Sequence, residues 1–237
     1  MKCFGGTDRG KHRTDNQDCY FAGTVNGYGV LIVCDGVGGS AGGFEAAYLA
    51  CDTLVSALAS SLGTSFSVKE CVERAVSKAN YTVLGKAKSS EMFSMSTTLV
   101  MAVADGETAV LVNVGDSRGY LYRGGSLQTV TRDHSVVQEL MEMGQLTAKE
   151  AATHPHRHVI TKAIGIDELT EPSIYQLSLE EGDRLLLCSD GLSDMLTPAQ
   201  MEDCMLLKNE KEVVQTLILK ANEAGGVDNI TATVLTR

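Results

Sequence analysis

Five aspartates stand where an apolar run stops or starts. The stretch "YGVLIVCDGVGGS" (28–40) delivers Asp35 and then glycines, "VLVNVGDSRG" delivers Asp116, and "DRLLLCSDGLSD" delivers Asp190 followed by Gly191. "GGVDNITATVL" sets Asp228 before a last apolar run, and "RGKHRTDNQDCY" sets Asp18 at the head of an early one. Taken singly, each is explained by a turn, because Asp and Asp-Gly are preferred turn chemistry. As a set they allow more. Asp35 and Asp190 follow continuous apolar runs, so each carboxylate sits at a fixed rim, and rims of stacked sheets can converge. Two carboxylates at 4 Å repel by about 4 kcal/mol at an effective dielectric near 20. They tolerate each other only when protonated or bridged by cations. Carboxylate, carbonyl and water ligands without Cys or clustered His select Mg²⁺ or Mn²⁺. Gly36, without a Cβ, can turn its own carbonyl toward the same ion.

Arg13, in "KHRTDNQD", lies five residues before Asp18. That odd separation puts the two on opposite faces of an extended segment, so a bend among Thr14, Asp15 and Asn16 is needed to aim both at one site. An arginine beside a divalent-metal site points to a phosphate, whose oxygens its planar fork matches. A surface salt bridge is the alternative reading.

The elements that must position these groups follow from periodicity. Strands are predicted at 18–23, 28–34, 96–104, 108–114, 119–123, 127–130, 174–179, 184–189 and 229–236. Asp105-Gly106 and Gly124-Gly125 join two pairs of them as antiparallel hairpins. Helices are predicted from Phe44 to Ser60, with an apolar face through 44, 47, 51, 54, 55 and 58, and from the capping-box pair Ser67 and Glu70 onward. Thr197-Pro198 opens a third, and a fourth over 210–224 stops at Gly225-Gly226. This order is α+β, and strands such as "GVLIVC" that do not alternate imply sheets buried on both faces. Residues 135–173 are polar, carry three of the five histidines and read as a short helical insertion over the surface. Nothing marks a linker, so residues 1–237 are expected to form one domain.

The net charge of −10, from 30 acidic and 20 basic residues, argues against nucleic-acid binding. No run has the length of a membrane span and the N-terminus lacks the apolar core of a secretory signal. The seven cysteines (3, 19, 34, 51, 71, 188 and 204) form no C-x-x-C pair and read as free thiols in a reducing compartment, which predicts a cytoplasmic protein.

Seven motifs in order, "RTDNQD" (13–18), "DGVGG" (35–39), "TT" (97–98), "GDSR" (115–118), "TRDHS" (131–135), "SDGL" (189–192) and "DNIT" (228–231), resemble the metal-dependent serine/threonine protein phosphatases of type 2C, in their compact bacterial form. The resemblance implies a four-layer α-β-β-α sandwich, two central antiparallel sheets flanked by helix pairs, with the 135–173 segment as a flap. It implies that Asp35 bridges two Mn²⁺ or Mg²⁺ ions, that Asp190 and Asp228 complete the first, and that the Gly36 carbonyl joins the second. Asp18 would act on the second through water, Asp116 with Asp190 would hold a third ion, and Arg13 would hold the substrate phosphate. Phosphorylated proteins are the implied substrates and a serine/threonine kinase the implied opponent. Monomer is the default.

The expected reaction is hydrolysis of phosphoserine or phosphothreonine by a metal-bridging water attacking phosphorus in line. Two ions about 4 Å apart bring such a water near neutrality. No phosphoenzyme is required, since no cysteine sits in a phosphate-cradling loop. Many relatives carry histidine after the Asp-Gly pair as a candidate proton donor, and bacterial ones commonly methionine; Val37 stands there in this chain. The general acid is then a metal-bound water or one of His154, His156 and His158, the first being favoured. Those three histidines could instead form a transition-metal site. Rival readings of the whole chain are a non-catalytic metal-binding or scaffold relative and a phosphatase of a small metabolite.

Overall fold

The computed structural model describes residues 1–37, 42–90 and 95–237. One sheet contains β1 (Lys2–Asp8), β7 (Arg118–Arg123), β8 (Ser126–Thr129), β10 (Arg184–Cys188) and β11 (Ile230–Thr236), in the order β1-β11-β10-β7-β8. The other contains β2 (Asp18–Val25), β3 (Tyr28–Val37), β5 (Leu99–Ala104), β6 (Thr108–Val114) and β9 (Ser173–Ser178), in the order β2-β3-β5-β6-β9. A two-residue strand, β4 (Ser96–Thr97), pairs with β3, and every pairing is antiparallel.

The unalternating strands are buried on both faces. On β3, Val30, Ile32 and Cys34 pack under the helices α1 (Gly42–Ser61) and α2 (Val68–Ser89), while Leu31 and Val33 face the opposite sheet. On β10, Leu186 and Cys188 pack under α6 (Pro198–Met205) and α7 (Glu210–Glu223), while Leu185 and Leu187 meet Leu31 and Val33 in the seam. The result is the expected α+β sandwich: helices, sheet, sheet, helices.

Helix starts follow their caps. Ser67 and Glu70 exchange hydrogen bonds in a capping box, and Thr197 and Gln200 do the same around Pro198. Phe44 departs from the apolar face expected of α1. It is exposed and stacks on Tyr48, while Ala46, Ala47, Ala50, Cys51, Leu54 and Leu58 fill the core side.

Other differences bear on the site. β1 was not foreseen, because Gly5 and Gly6 break its strand character. Gly5 is required there, since a Cβ on it would meet the Tyr20 ring at 2.6 Å. The run expected at 96–104 divides at Thr98, whose N–H donates to Asp35 O at 2.8 Å. β3 continues to Val37, so Asp35 lies within the strand rather than at its end. The 135–173 segment has two short helices, α3 (Val136–Glu142) and α4 (Ala148–Ala151), capped by Ser135 and Thr147. It is not wholly superficial, since Ile164 is fully buried in the core and bridges to Thr97.

Candidate active site

The cleft lies where the two sheets end side by side, with a volume of about 540 Å³, and Arg13, Asp35, Asp116, Asp190 and Asp228 all line it. Asp35 is fixed through its backbone. Its N–H donates to Thr98 Oγ1 at 3.1 Å and its carbonyl accepts from Thr97 Oγ1 at 2.9 Å, which accounts for the paired threonines. Gly36 follows in a space without room for a side chain: a Cβ would meet Gly43 O at 2.2 Å and Gln17 O at 2.8 Å.

Asp116 is delivered by Gly115, whose φ of 104° is left-handed and whose Cβ would clash with Thr98 at 2.8 Å. His134 braces the same turn, accepting the Gly115 N–H on Nδ1 at 3.2 Å and meeting Ser173 Oγ through Nε2. An acceptor Nδ1 requires the neutral ring, and burial lowers the His134 pKa in that direction. Behind Asp116, Arg118 holds Asp133 bidentately at 2.7–3.0 Å.

Asp190 begins the short helix α5 (Asp190–Ser193) instead of ending the strand before it. Gly191 must be glycine, since a Cβ would meet Asn229 O at 2.0 Å. Asp228 sits one residue before Asn229, and its Oδ2 accepts from Arg13 Nη2 at 2.6 Å. The chain bends at Thr14 and Asp15, as aiming Arg13 inward demands. The Asp228 hydrogen bond raises the Arg13 pKa, with burial opposing.

Asp18 does not line the cleft. It is buried behind Asp35, its register partner across β2 and β3. Its Oδ2 accepts from Ser189 Oγ at 2.8 Å and Thr231 Oγ1 at 2.6 Å, both from the opposite sheet's strand ends. Its Oδ1 has no partner among the described residues, and neither has the buried Asp190 Oδ1.

The carboxylates resist ionisation together. Burial, then repulsion from Asp18, Asp190, Asp116 and Asp228, holds Asp35 well above the usual carboxylate range. Burial raises Asp116 to about 8, with Asp190 and Asp133 adding to it. Asp18 is pushed to about 7 by burial, against the two hydroxyl bonds, and Asp190 to about 6 by burial and Asp194. Two orphaned buried oxygens, a Cβ-free cradle and an all-oxygen donor set among repelling acids fit hard divalent cations.

Of the flap histidines only His158 lines the cleft, with Nδ1 3.4 Å from Asp194 Oδ2. His154 and His156 lie outside it, their rings tilted at 50° to each other with centres 5.5 Å apart. The three do not group as metal ligands; His158 groups with Asp190 and Asp194 instead. Asp194, Ser189, Thr231 and Asn229 are site residues that the sequence does not single out, although all four fall inside the stretches quoted above.

A double sandwich with acids from both sheets meeting at one rim defines a metal-dependent phosphatase architecture, and the comparisons agree. The family model described as Protein phosphatase 2C matches residues 6–220, and the chain belongs to that family of enzymes. It is 35% identical to the serine/threonine phosphatase stp of Listeria welshimeri, over 98% of this chain and 94% of that one. The crystal structure of the Mycobacterium tuberculosis serine/threonine phosphatase PstP/Ppp superposes with a TM-score of 0.91 at 33% identity, covering 98% of this chain and 97% of that one. A PstP catalytic domain crystallised with two manganese ions superposes at 0.88, with 31% identity over 98% of this chain and 96% of that one.

Proposed function

We propose that this chain hydrolyses phosphoserine and phosphothreonine in proteins, opposing a serine/threonine kinase, as a single catalytic domain acting in the cytoplasm as a monomer. One observation carries the reading: acids from within or beside four separate strands line one cleft, with Arg13 paired to one of them. Asp35, Asp190 and Asp228 would hold one ion and Asp35, the Gly36 carbonyl and, through water, Asp18 a second, with Asp116 and Asp190 offering a third place. Bound Mn²⁺ or Mg²⁺ supplies the charge and Lewis acidity that make water a nucleophile near neutral pH.

The chain's own groups do the rest. Arg13 exchanges its Asp228 contact for the phosphate oxygens and offsets their charge as the ester bond breaks. Ser189 and Thr231 fix one Asp18 oxygen and leave the other to receive a proton from water. Val37, at the cleft wall, has no proton to give, so the leaving alkoxide takes one from water. Direct attack is favoured because no cysteine lines the cleft among the described residues. The nearest in sequence, Cys34 and Cys188, are buried, which raises both thiols, Cys188 to about 12.

No helix among the described residues is long and apolar enough to cross a membrane. The test is phosphate release from a phosphothreonine peptide with and without Mn²⁺, beside an arm of small phosphorylated metabolites. Release only from metabolites would move the function to that class. Release from neither, with Mn²⁺ bound, would leave a binding domain.

A further inference from the structure

Arg13 has 56% of its side chain open to solvent, and it belongs to a loop without regular structure. A long side chain on a free loop would lose much conformational entropy on meeting a phosphate. The loop is not free. Asn229, 5% exposed, spans its base with a single amide. Its Nδ2 donates to Arg9 O and to Asp15 O, both at 2.9 Å, and its Oδ1 accepts the Gln17 N–H at 2.8 Å. Both donor hydrogens are used, and a flipped amide would set its oxygen against two carbonyls and its NH₂ against an N–H.

The rest of the loop leans on the same segment. Lys11 N–H donates to Gly226 O at 2.7 Å, and Gly10, at φ 76°, passes so close that a Cβ would meet Asp228 O at 2.2 Å. Asn229 also touches the strongest acid partner of Arg13 through the chain, since its N–H donates to Asp228 Oδ1 at 2.8 Å. Asn229, by its side chain on one hand and its backbone N–H on the other, therefore ties the residues on both sides of Arg13 to the residue that Arg13 pairs with.

We propose that Asn229 is a positioning residue for phosphate binding, acting by holding the 9–17 loop so that Arg13 is preset over the cleft. The proposal rests on the reading that Arg13 holds the substrate phosphate. It predicts an effect on binding that passes through Arg13 and leaves the ions untouched.

The experiment is a double-mutant cycle in the full chain with Mn²⁺, measuring KM and kcat on a phosphothreonine peptide, the inhibition constant of inorganic phosphate, and Mn²⁺ affinity by calorimetry. Asn229→Asp keeps the shape and the bond from Gln17 but opposes an oxygen to the Arg9 and Asp15 carbonyls; Asn229→Ala removes all three bonds. Either should raise KM and the phosphate inhibition constant about tenfold, with kcat and Mn²⁺ affinity within about twofold. In an Arg13→Ala background the same change should move KM less than about twofold. An equal rise in both backgrounds, or a Mn²⁺ affinity loss large enough to explain it, overturns the proposal. If Arg13→Ala leaves KM unchanged, the reading of Arg13 itself fails, and that result stands apart from the cycle. Should both variants misfold, hydrogen exchange in the unaltered protein decides: a protected Gln17 amide supports the clamp, and one exchanging as freely as Asp15 overturns it.

Discussion

Asp18 and Asp35 are register partners on adjacent strands, yet only Asp35 reaches the cleft; Asp18 is buried behind it and held by Ser189 and Thr231 of the opposite sheet. Two like charges directly opposite on a ladder are ordinarily destabilising. Here the pair costs the fold stability unless something neutralises it, and that cost has measurable consequences.

The first is a pH dependence of the metal-stripped protein. Asp18, Asp190 and Asp116 have folded pKa values raised to about 7, 6 and 8 from 3.8. A raised carboxylate means that the folded state binds more protons than the unfolded one, so stability falls as pH rises from about 4 to about 8. With EDTA, the Tm should drop by several degrees across that window, at about 2–4 °C per kcal/mol. Added Mn²⁺ should raise Tm more at pH 8 than at pH 5. A flat EDTA profile would show that these carboxylates are not raised in the fold.

Replacing a ligand should separate chemistry from folding. Asp190→Ala or Asp228→Ala should lower Mn²⁺-dependent hydrolysis of a phosphothreonine peptide by about a hundredfold or more, on the scale of losing a group that stabilises a transition state. Circular dichroism should be unchanged, because both side chains lie at the cleft and not in the seam. Full activity in either variant would reject the ligand assignment.

Arg13→Ala should raise KM about tenfold with a smaller change in kcat, as for a contact present equally in the ground and transition states. Arg13→Lys should fall between, since an ammonium keeps the charge but not the fork. Steady-state kinetics with a phosphopeptide decide it; unchanged KM and kcat would remove Arg13 from the site.

Gly191→Ala adds one methyl group where Asn229 O stands 2.0 Å away. The change should destabilise the fold by about 1–3 kcal/mol and displace Asp190. Urea denaturation and Mn²⁺ affinity should both fall; a variant of native stability would mean that α5 shifts freely.

Deleting 147–157 removes α4 and the two outlying histidines but spares His158. Turnover of a phosphoprotein should change more than that of a small aryl phosphate. Equal effects on both substrates would count against docking by the flap.

Much of this arrangement was readable before the fold was known. Strands with apolar residues on both faces announce a doubly covered sheet, and β3 and β10 are such strands. The aspartates those runs deliver, Asp35 inside β3 and Asp190 just past β10, both line the cleft. β1 was not readable, because Gly5 makes room for the Tyr20 ring and Gly6 lies against Val214 and Ile218, neighbours that sequence does not disclose. The same holds for the residues that organise the site. Ser189 and Thr231 meet Asp18 from 171 and 213 positions away, and Asn229 reaches Gln17 across 212. Each reads locally as an ordinary polar residue in a turn or strand, and only the closing of one sheet upon the other gives it a task. Among the flap histidines, identical in type and evenly spaced, nothing local distinguishes His158 from the pair that stays outside.

The inter-sheet seam of Leu31, Val33, Leu185 and Leu187 lies away from the cleft, yet it sets the alignment of the acids. Asp35 and Asp116 ride on one sheet, Asp190 and Asp228 on the other, so any slip along this greasy plane would spread the quartet apart. Hollowing out the seam, as by Leu187→Ala, should thus blunt the grip on manganese from a distance, and saturating manganese should in turn rivet the two slabs together.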